Sequence, residues 1–231
     1  MDLPYLFSLN YLCSMTREPA SAKRRHSAGE ATRILLIETA ERLFATRGID
    51  GVTLAQIQLA AGQSNSSVIG YHFGSKNGLI QAILDHRKLP LGEQRERLLD
   101  ELLPDGGELD VRAAVWLMVG PFAASIREGQ MFVPFLARLS EDPEQRQRLG
   151  KAGPSGVSSL DGVERYVESA LGHLPDRVRR GRVFMLYNSV LNLLGERARN
   201  FHDVTEAQLE IYVDGWVGML EAPVSTSVPD E

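Results

Sequence analysis

The segment from Thr32 to Ile83 constrains most strongly how this chain can fold. In its first part, apolar residues recur at helical spacing: Ile34, Ile37, Ala40 and Phe44. This pattern predicts an amphipathic helix, and Arg47-Gly48 supplies the last-turn cation and the glycine that commonly end one. Two shorter helices are predicted next, joined by a tight turn at Ala61-Gly62. A short helix set across a tight turn from its partner is a device for placing side chains in the DNA major groove.

Local signals define the two short helices. Thr53 and Gln56 have the spacing of a capping box, with Val52 and Ile57 placed as a hydrophobic staple. Ser64 is predicted to cap the third helix, which Val68 and Phe73 would anchor in the core. Three polar residues near its start would then face outward: Asn65, Ser66 and Ser67. Short polar side chains there suit base edges and phosphates.

About fifty residues resemble the DNA-binding domain of the tetracycline-repressor (TetR) family of bacterial transcription regulators. The resemblance is carried by Thr32-Arg33, Ala40, Leu43-Phe44-Ala45, Gly48, Thr53, Ile57, Ala61-Gly62, Tyr71-His72-Phe73-Gly74-Ser75-Lys76 and Leu79. Two features depart from the commonest family pattern. One extra residue lies between Gly62 and Tyr71, and Gly70 stands where a larger residue is usual. The resemblance implies an all-α fold, with an N-terminal three-helix helix-turn-helix domain and a C-terminal helical domain for ligand binding and dimerisation.

The resemblance also implies which residues contact DNA. Phosphate contacts are implied for Thr53, Tyr71, His72 and Lys76, while the start of the third helix reads bases. The complete set of DNA-binding candidates is Arg33, Thr53, Ser64, Asn65, Ser66, Ser67, Tyr71, His72 and Lys76. An alternative for Tyr71 and His72 is that they form an amphipathic helix end packed on Phe73.

Charge is divided unevenly along the chain. From Arg17 to Lys88 there are ten Lys and Arg against six Asp and Glu, whereas from Leu89 onward there are fifteen against twenty-three. A basic N-terminal third attracts a DNA duplex, and an acidic remainder stays off it. The basic run Lys23-Arg24-Arg25-His26 is expected either to act as a flexible arm near DNA or to be a solvated run.

Length and composition suit a two-part bacterial cytoplasmic protein. The 231 residues are 43% hydrophobic, and the single cysteine, Cys13, excludes an internal disulfide framework. We predict a disordered extension at 1–25, the DNA-binding domain at 26–88, the helical ligand-binding and dimerisation domain at 89–222, and a disordered tail at 223–231. The apolar N-terminal stretch lacks a basic leader and is too short to span a bilayer, and Met15 is an alternative start.

The second part is predicted to be helical throughout. Leu89-Pro90-Leu91-Gly92 should interrupt the helix after the DNA-binding unit, with a further helix at about 93–103. Residues 110–127 are apolar nearly all round, which predicts a central buried helix kinked at Pro121. The block 131–136 should be broken by Pro134, 141–161 should be loop-rich, and a helix should follow at about 157–172.

Two long amphipathic helices are predicted at about 176–199 and 205–220. Their stripes could pair with symmetry mates in a four-helix bundle, an arrangement that the resemblance also implies. The predicted interface residues are Tyr187, Leu191, Leu194, Leu209, Tyr212, Val213, Trp216 and Leu220. The alternative is that both stripes are buried within one chain.

The resemblance further implies a ligand cavity between the DNA-binding unit and this bundle. Candidate lining residues are Trp116, Met118, Phe122, Met131, Phe132, Phe135, Phe184 and Tyr187, each of which could equally be plain core. Polar candidates for orienting a ligand head group are Arg138, His173 and Asn188.

Catalytic and metal-binding motifs are absent from the sequence, so we predict neither an enzyme, nor a metal site, nor a cofactor. Ser155, Asp161 and His173 can be assembled on paper into a hydrolase triad, but without the context of a nucleophile elbow. The sequence therefore predicts a homodimeric regulator, a repressor that binds a palindromic operator and is released by a small apolar or amphipathic effector. The alternative is a DNA-binding regulator without a small-molecule ligand, controlled by a partner protein or by abundance.

Overall fold

The computed structural model describes residues 20–104, 106–141, 158–200 and 204–225. Side chains are described from residue 28, and in the third stretch from residue 163. Within these residues every regular element is a helix, as the sequence predicts. None of the helices in this part of the chain has both the length and the apolar character needed to cross a membrane. Contacts divide the chain into two compact units between Ile34 and Leu35.

The first four helices are α1 (Ala20–Arg47), α2 (Leu54–Ala60), α3 (Val68–Phe73) and α4 (Lys76–Leu102). The end of α1 at Arg47 and the positive φ of Gly48, 79°, confirm the predicted helix stop. Its start differs from the prediction, because residues 20–25, assigned to a disordered extension, belong to the helix. Alanine, lysine and arginine in that segment favour helix over coil.

The remaining helices are α5 (Val111–Arg127), α6 (Phe132–Glu141), α7 (Ser158–Ala170), α8 (Asp176–Arg199) and α9 (Glu206–Glu221). The α5 helix contacts α4, α6, α7, α8 and α9, which confirms its predicted central position. Asp110 caps α5 by accepting from the backbone N–H of Ala113 at 2.7 Å, and Thr205 caps α9 in the same way. Pro121 lies inside α5, where its ring is buried.

Two proline predictions are wrong. The α4 helix is continuous through Pro90, although an interior proline withholds one backbone donor and costs about 3 kcal/mol. The buried residues Leu84, Leu91 and Arg95 lie on either side of Pro90 and pack α4 against the core, which offsets that cost. Pro134 does not break its apolar block either. It is the third residue of α6, where the backbone N–H has no helical partner to lose.

Loop predictions are only partly testable. Residues 142–157, including Ser155, lie outside the described residues. The predicted loop-rich stretch nevertheless ends early, because α7 already begins at Ser158. Asp161 lies on this helix and His173 is exposed in the turn before α8.

Candidate nucleic-acid interface

The N-terminus of α2 is held by a complete capping box, as predicted. The backbone N–H of Gln56 donates to Thr53 Oγ1 at 3.2 Å, and the Thr53 N–H donates to Gln56 Oε1 at 2.8 Å. Val52 and Ile57 are fully buried, as the predicted staple requires. Thr53 itself is exposed, so the cap fixes a surface hydroxyl at the start of the helix.

The turn before α3 differs from the prediction. Ser64 does not cap the helix, because α3 begins only at Val68. Asn65 organises the turn instead: its Oδ1 accepts from the Ser67 N–H at 3.0 Å, and its carbonyl accepts from the Val68 N–H at 3.2 Å. Asparagine side chains readily bond to nearby backbone in this way, in competition with helix. All four candidate residues from Ser64 to Ser67 are exposed, but in the turn rather than in the first turn of a helix.

An open groove of about 620 Å³ separates α2 from α3 on the exposed face. Its lining includes Leu54, Ala55 and Gln58 from α2, and Ser67, Gly70 and Tyr71 from the α3 side. The groove thus has polar edges and an apolar floor, and it lies among the residues that sequence patterns select for DNA contact.

Tyr71 is 84% exposed, so the alternative in which it packs on Phe73 is wrong. That alternative fits His72 better, because its ring lies 5.8 Å from the Phe73 ring and its side chain is half-buried. Lys76 begins α4 with its Nζ 5.6 Å from the centre of the Phe44 ring. Arg33 belongs to the other compact unit, where it pairs with Glu30 at 3.7 Å.

A buried ion pair ties this region to the C-terminal helices. Arg87 of α4 donates to both carboxylate oxygens of Glu41 on α1, at 2.7 and 3.0 Å. Glu41 Oε1 also accepts from the backbone N–H of Met131, one residue before α6, at 3.2 Å. Beside this pair the rings of Phe44 and Phe135 lie 6.2 Å apart. Sequence inspection missed Glu41, since its position beside the Ile37-Ala40-Phe44 stripe was the only available signal.

The predicted ligand-pocket residues occupy three different environments. Met118, Phe122, Phe132 and Phe135 are buried in the core, while Trp116, Met131 and Tyr187 are half-buried. Phe184 and His173 are exposed and do not belong with them, because they lie on the outer side of α8 and in the turn before it. The other two polar candidates are engaged locally: Asn188 donates to the Phe184 carbonyl and Arg138 to Glu141.

The cation nearest these apolar residues is Arg95 on α4, which sequence inspection did not select. Arg95 is 6% exposed, and its guanidinium carbon lies 5.6 Å from the centre of the Phe122 ring. Burial lowers the pKa of Arg95 to about 10, partly offset by the neighbouring Tyr187. Its one sequence signal is the helical spacing from Leu91, which is buried on the same side of α4.

The predicted dimer residues are mostly core residues of the single chain. Leu191, Leu194, Leu209, Val213, Trp216 and Leu220 are between 0 and 3% exposed. They are therefore unavailable to a partner, and the alternative of stripes buried within one chain is correct for these six. Tyr187 and Tyr212 are half-buried. The exposed apolar residues of these helices are others: Phe184, Met185 and Ile211.

Comparisons with known proteins agree with this geometry. Residues 36–83 match the family described as bacterial regulatory proteins, tetR family. The chain is 35% identical over 85 residues to the transcriptional regulator TtgR of Pseudomonas putida, covering 35% of this chain and 40% of TtgR. It is 34% identical over 91 residues to the transcriptional repressor Rv3405c of Mycobacterium tuberculosis, covering 39% of this chain and 46% of that protein. The matched part thus spans less than half of these relatives.

The fold extends the likeness beyond the matched segment. A solved TetR-family regulator from Mesorhizobium loti superposes with a TM-score of 0.51 at 17% identity, over 84% of this chain and 96% of that one. At that identity the superposition supports the fold alone. The matched helix-turn-helix segment, with its capped α2 and exposed α3, shows that this chain belongs to the tetR family of bacterial regulatory proteins, which are DNA-binding transcription regulators rather than enzymes.

Proposed function

We propose that the protein is a transcriptional repressor that binds a palindromic operator as a homodimer in the bacterial cytoplasm and is released by a small effector. The observation that carries this proposal is the α2–α3 face, which presents a groove and polar side chains to solvent. One similar protein is named a repressor, which supports the direction of control.

The α2–α3 face would contact DNA in two ways. Thr53, Tyr71 and Lys76 would bind phosphates, since they are exposed or half-buried around the groove and end in a donor group. His72 and Arg33 remain proposed phosphate contacts. Residues 64–67 would reach base edges from the turn before α3. These assignments separate side chains that position the protein from side chains that read sequence.

The homodimer would form through the outer faces of α8 and α9. Phe184, Met185 and Ile211 are 58, 53 and 64% exposed, respectively, and the small residues Gly215 and Gly218 are also exposed on α9. Exposed apolar residues on neighbouring helices are characteristic of an association surface. This surface replaces the buried stripe that the sequence suggested.

The effector would bind among the helices around α5. Met118, Phe122 and Tyr187 provide apolar surface there, and Arg95 provides a positive charge over Phe122. An amphipathic effector with an acidic head group matches that combination. Displacement of α6 would reach the DNA-binding helices directly, because Met131 and Phe135 contact Glu41 and Phe44 of α1.

In vitro selection of bound DNA, followed by footprinting, tests the DNA-binding proposal. We expect a palindromic site protected by two protomers. Tyr71→Phe removes one hydroxyl and should weaken every sequence about equally, while Tyr166→Phe on α7 serves as the matched control. Failure to enrich any sequence would refute the proposal.

A screen of apolar and amphipathic acids against the labelled operator complex tests the effector. A true effector should raise the melting temperature and also release DNA, since a ligand shifts an equilibrium only by its differential affinity. Compounds that stabilise the protein without changing operator affinity would support the ligand-independent alternative.

A further inference from the structure

Gly70 is the one glycine of the 36–83 segment for which the chain itself provides no structural reason. Three others, Gly48, Gly62 and Gly74, have φ between 66 and 79°, a region that side chains rarely adopt. At the remaining two, Gly51 and Gly78, an added Cβ would lie 2.4 and 2.0 Å from a backbone carbonyl oxygen. Both close approaches are sterically forbidden.

Gly70 differs from all five. It lies inside α3 without a positive φ, and an added Cβ would meet no atom within 4 Å. Glycine inside a helix destabilises the fold relative to alanine, because it loses more backbone freedom on folding. The fold alone would therefore favour alanine at this position, so the reason for a glycine lies outside the chain.

The surroundings of Gly70 indicate what approaches it. Gly70 lines the α2–α3 groove together with Leu54, Ala55 and Ile69, which are apolar, and Ser67 and Tyr71, which are polar. A glycine on such a surface lets a ligand come up to the backbone itself. Within the DNA major groove the apolar group that projects from a base edge is the 5-methyl of thymine.

We propose that a thymine methyl group of the operator contacts the α3 backbone at Gly70, between the side chains of Leu54 and Tyr71. Gly70 is then a residue that determines sequence specificity, by leaving room for that methyl. The inference rests on the proposed DNA-binding function and adds one base preference to each half-site. A 5-methylcytosine offers the same chemistry, so the operator is synthesised without cytosine methylation to distinguish the two.

The variant Gly70→Ala tests the proposal, with Gly92→Ala as its matched control. Gly92 is also a helical glycine at which an added Cβ meets nothing within 4 Å. Both variants should melt about 1 to 4 °C higher than the wild type, because helix propensity improves. Gly92→Ala should bind the selected operator as the wild type does, whereas Gly70→Ala should bind it at least about tenfold more weakly, since one inserted methyl can cost that much.

Replacing operator thymines one at a time by uracil removes only the methyl. At one thymine in each half-site the wild type should lose about fourfold in affinity, the value of one buried methyl. Gly70→Ala should regain affinity on that uracil operator, because the alanine methyl occupies the vacated space. Equal operator binding by Gly70→Ala and wild type, or a uracil scan without a sensitive position, would overturn the inference. A wild type that selects no DNA would instead overturn the proposed function, and this inference with it.

Discussion

Removing the carboxylate of Glu41 should be among the most damaging single changes in the chain. Glu41 is 2% exposed, and the side chains of the pair are 3 and 12% exposed for Glu41 and Arg87. Glu41→Met leaves the Arg87 guanidinium largely buried without its carboxylate, which typically costs about 3–5 kcal/mol. It also removes the acceptor of the Met131 N–H. At about 2–4 °C per kcal/mol for a protein of this size, the melting temperature should fall by roughly 6–20 °C.

A double-mutant cycle separates the ion pair from the rest of the effect. In Glu41→Met/Arg87→Met both charges are gone, so the free energy of unfolding should recover most of what the single variant loses. A remainder of about 1–3 kcal/mol should persist, because the Met131 N–H still lacks its acceptor. Urea unfolding at one fixed protein concentration measures each corner of the cycle, since dimerisation makes stability depend on concentration.

The exposed ion pairs of Arg112 provide the control. Arg112 contacts Glu210 at 2.9 Å and Asp214 at 2.7 Å, but its side chain is 43% exposed. Arg112→Met should therefore cost no more than about 1 kcal/mol. If Glu41→Met cost as little as Arg112→Met, or if the double variant cost the sum of the two singles, the buried pair would not be what joins α1, α4 and α6.

Three further outcomes are expected. Lys76→Ala should weaken binding to all DNA sequences about equally and reduce the salt dependence by about one counterion for each phosphate that the variant no longer binds, as measured by titration at several salt concentrations; a changed sequence preference would contradict a phosphate contact. Ile211→Glu should sediment as a folded monomer, whereas Leu194→Glu should fail to fold, because only the first is exposed in the single chain; a folded Ile211→Glu dimer would refute the α9 surface. Thr53→Ala should lower the free energy of unfolding by about 0.5–2 kcal/mol through loss of the α2 cap, and Thr53→Ser should keep most of it; equal destabilisation by both variants in urea unfolding would argue against the capping role.

Features that depend on neighbours in sequence were readable before the fold was known. The Thr53–Gln56 capping box and the stop at Gly48 require only residues within one turn of a helix, so their chemistry is present in the sequence itself. The bounds of α8 and α9 follow equally from Pro175 and Thr205, which precede them. Even here a local signal can be ambiguous: Asn65 and Ser64 compete for the same turn, and sequence alone favoured the wrong one.

Features that depend on distant partners were decided only by the tertiary structure. An apolar stripe on α8 or α9 must be covered, but its spacing does not say whether the cover comes from the same chain or from another. The structure covers Leu194 and Trp216 within the chain and leaves Phe184 and Ile211 outside. Pro90 continues a helix because long-range packing outweighs a local penalty, and Glu41 meets Arg87 only because α1 and α4 are brought together across 46 residues of sequence. Burial and pairing are properties of the whole packed chain, so no local window of sequence contains them.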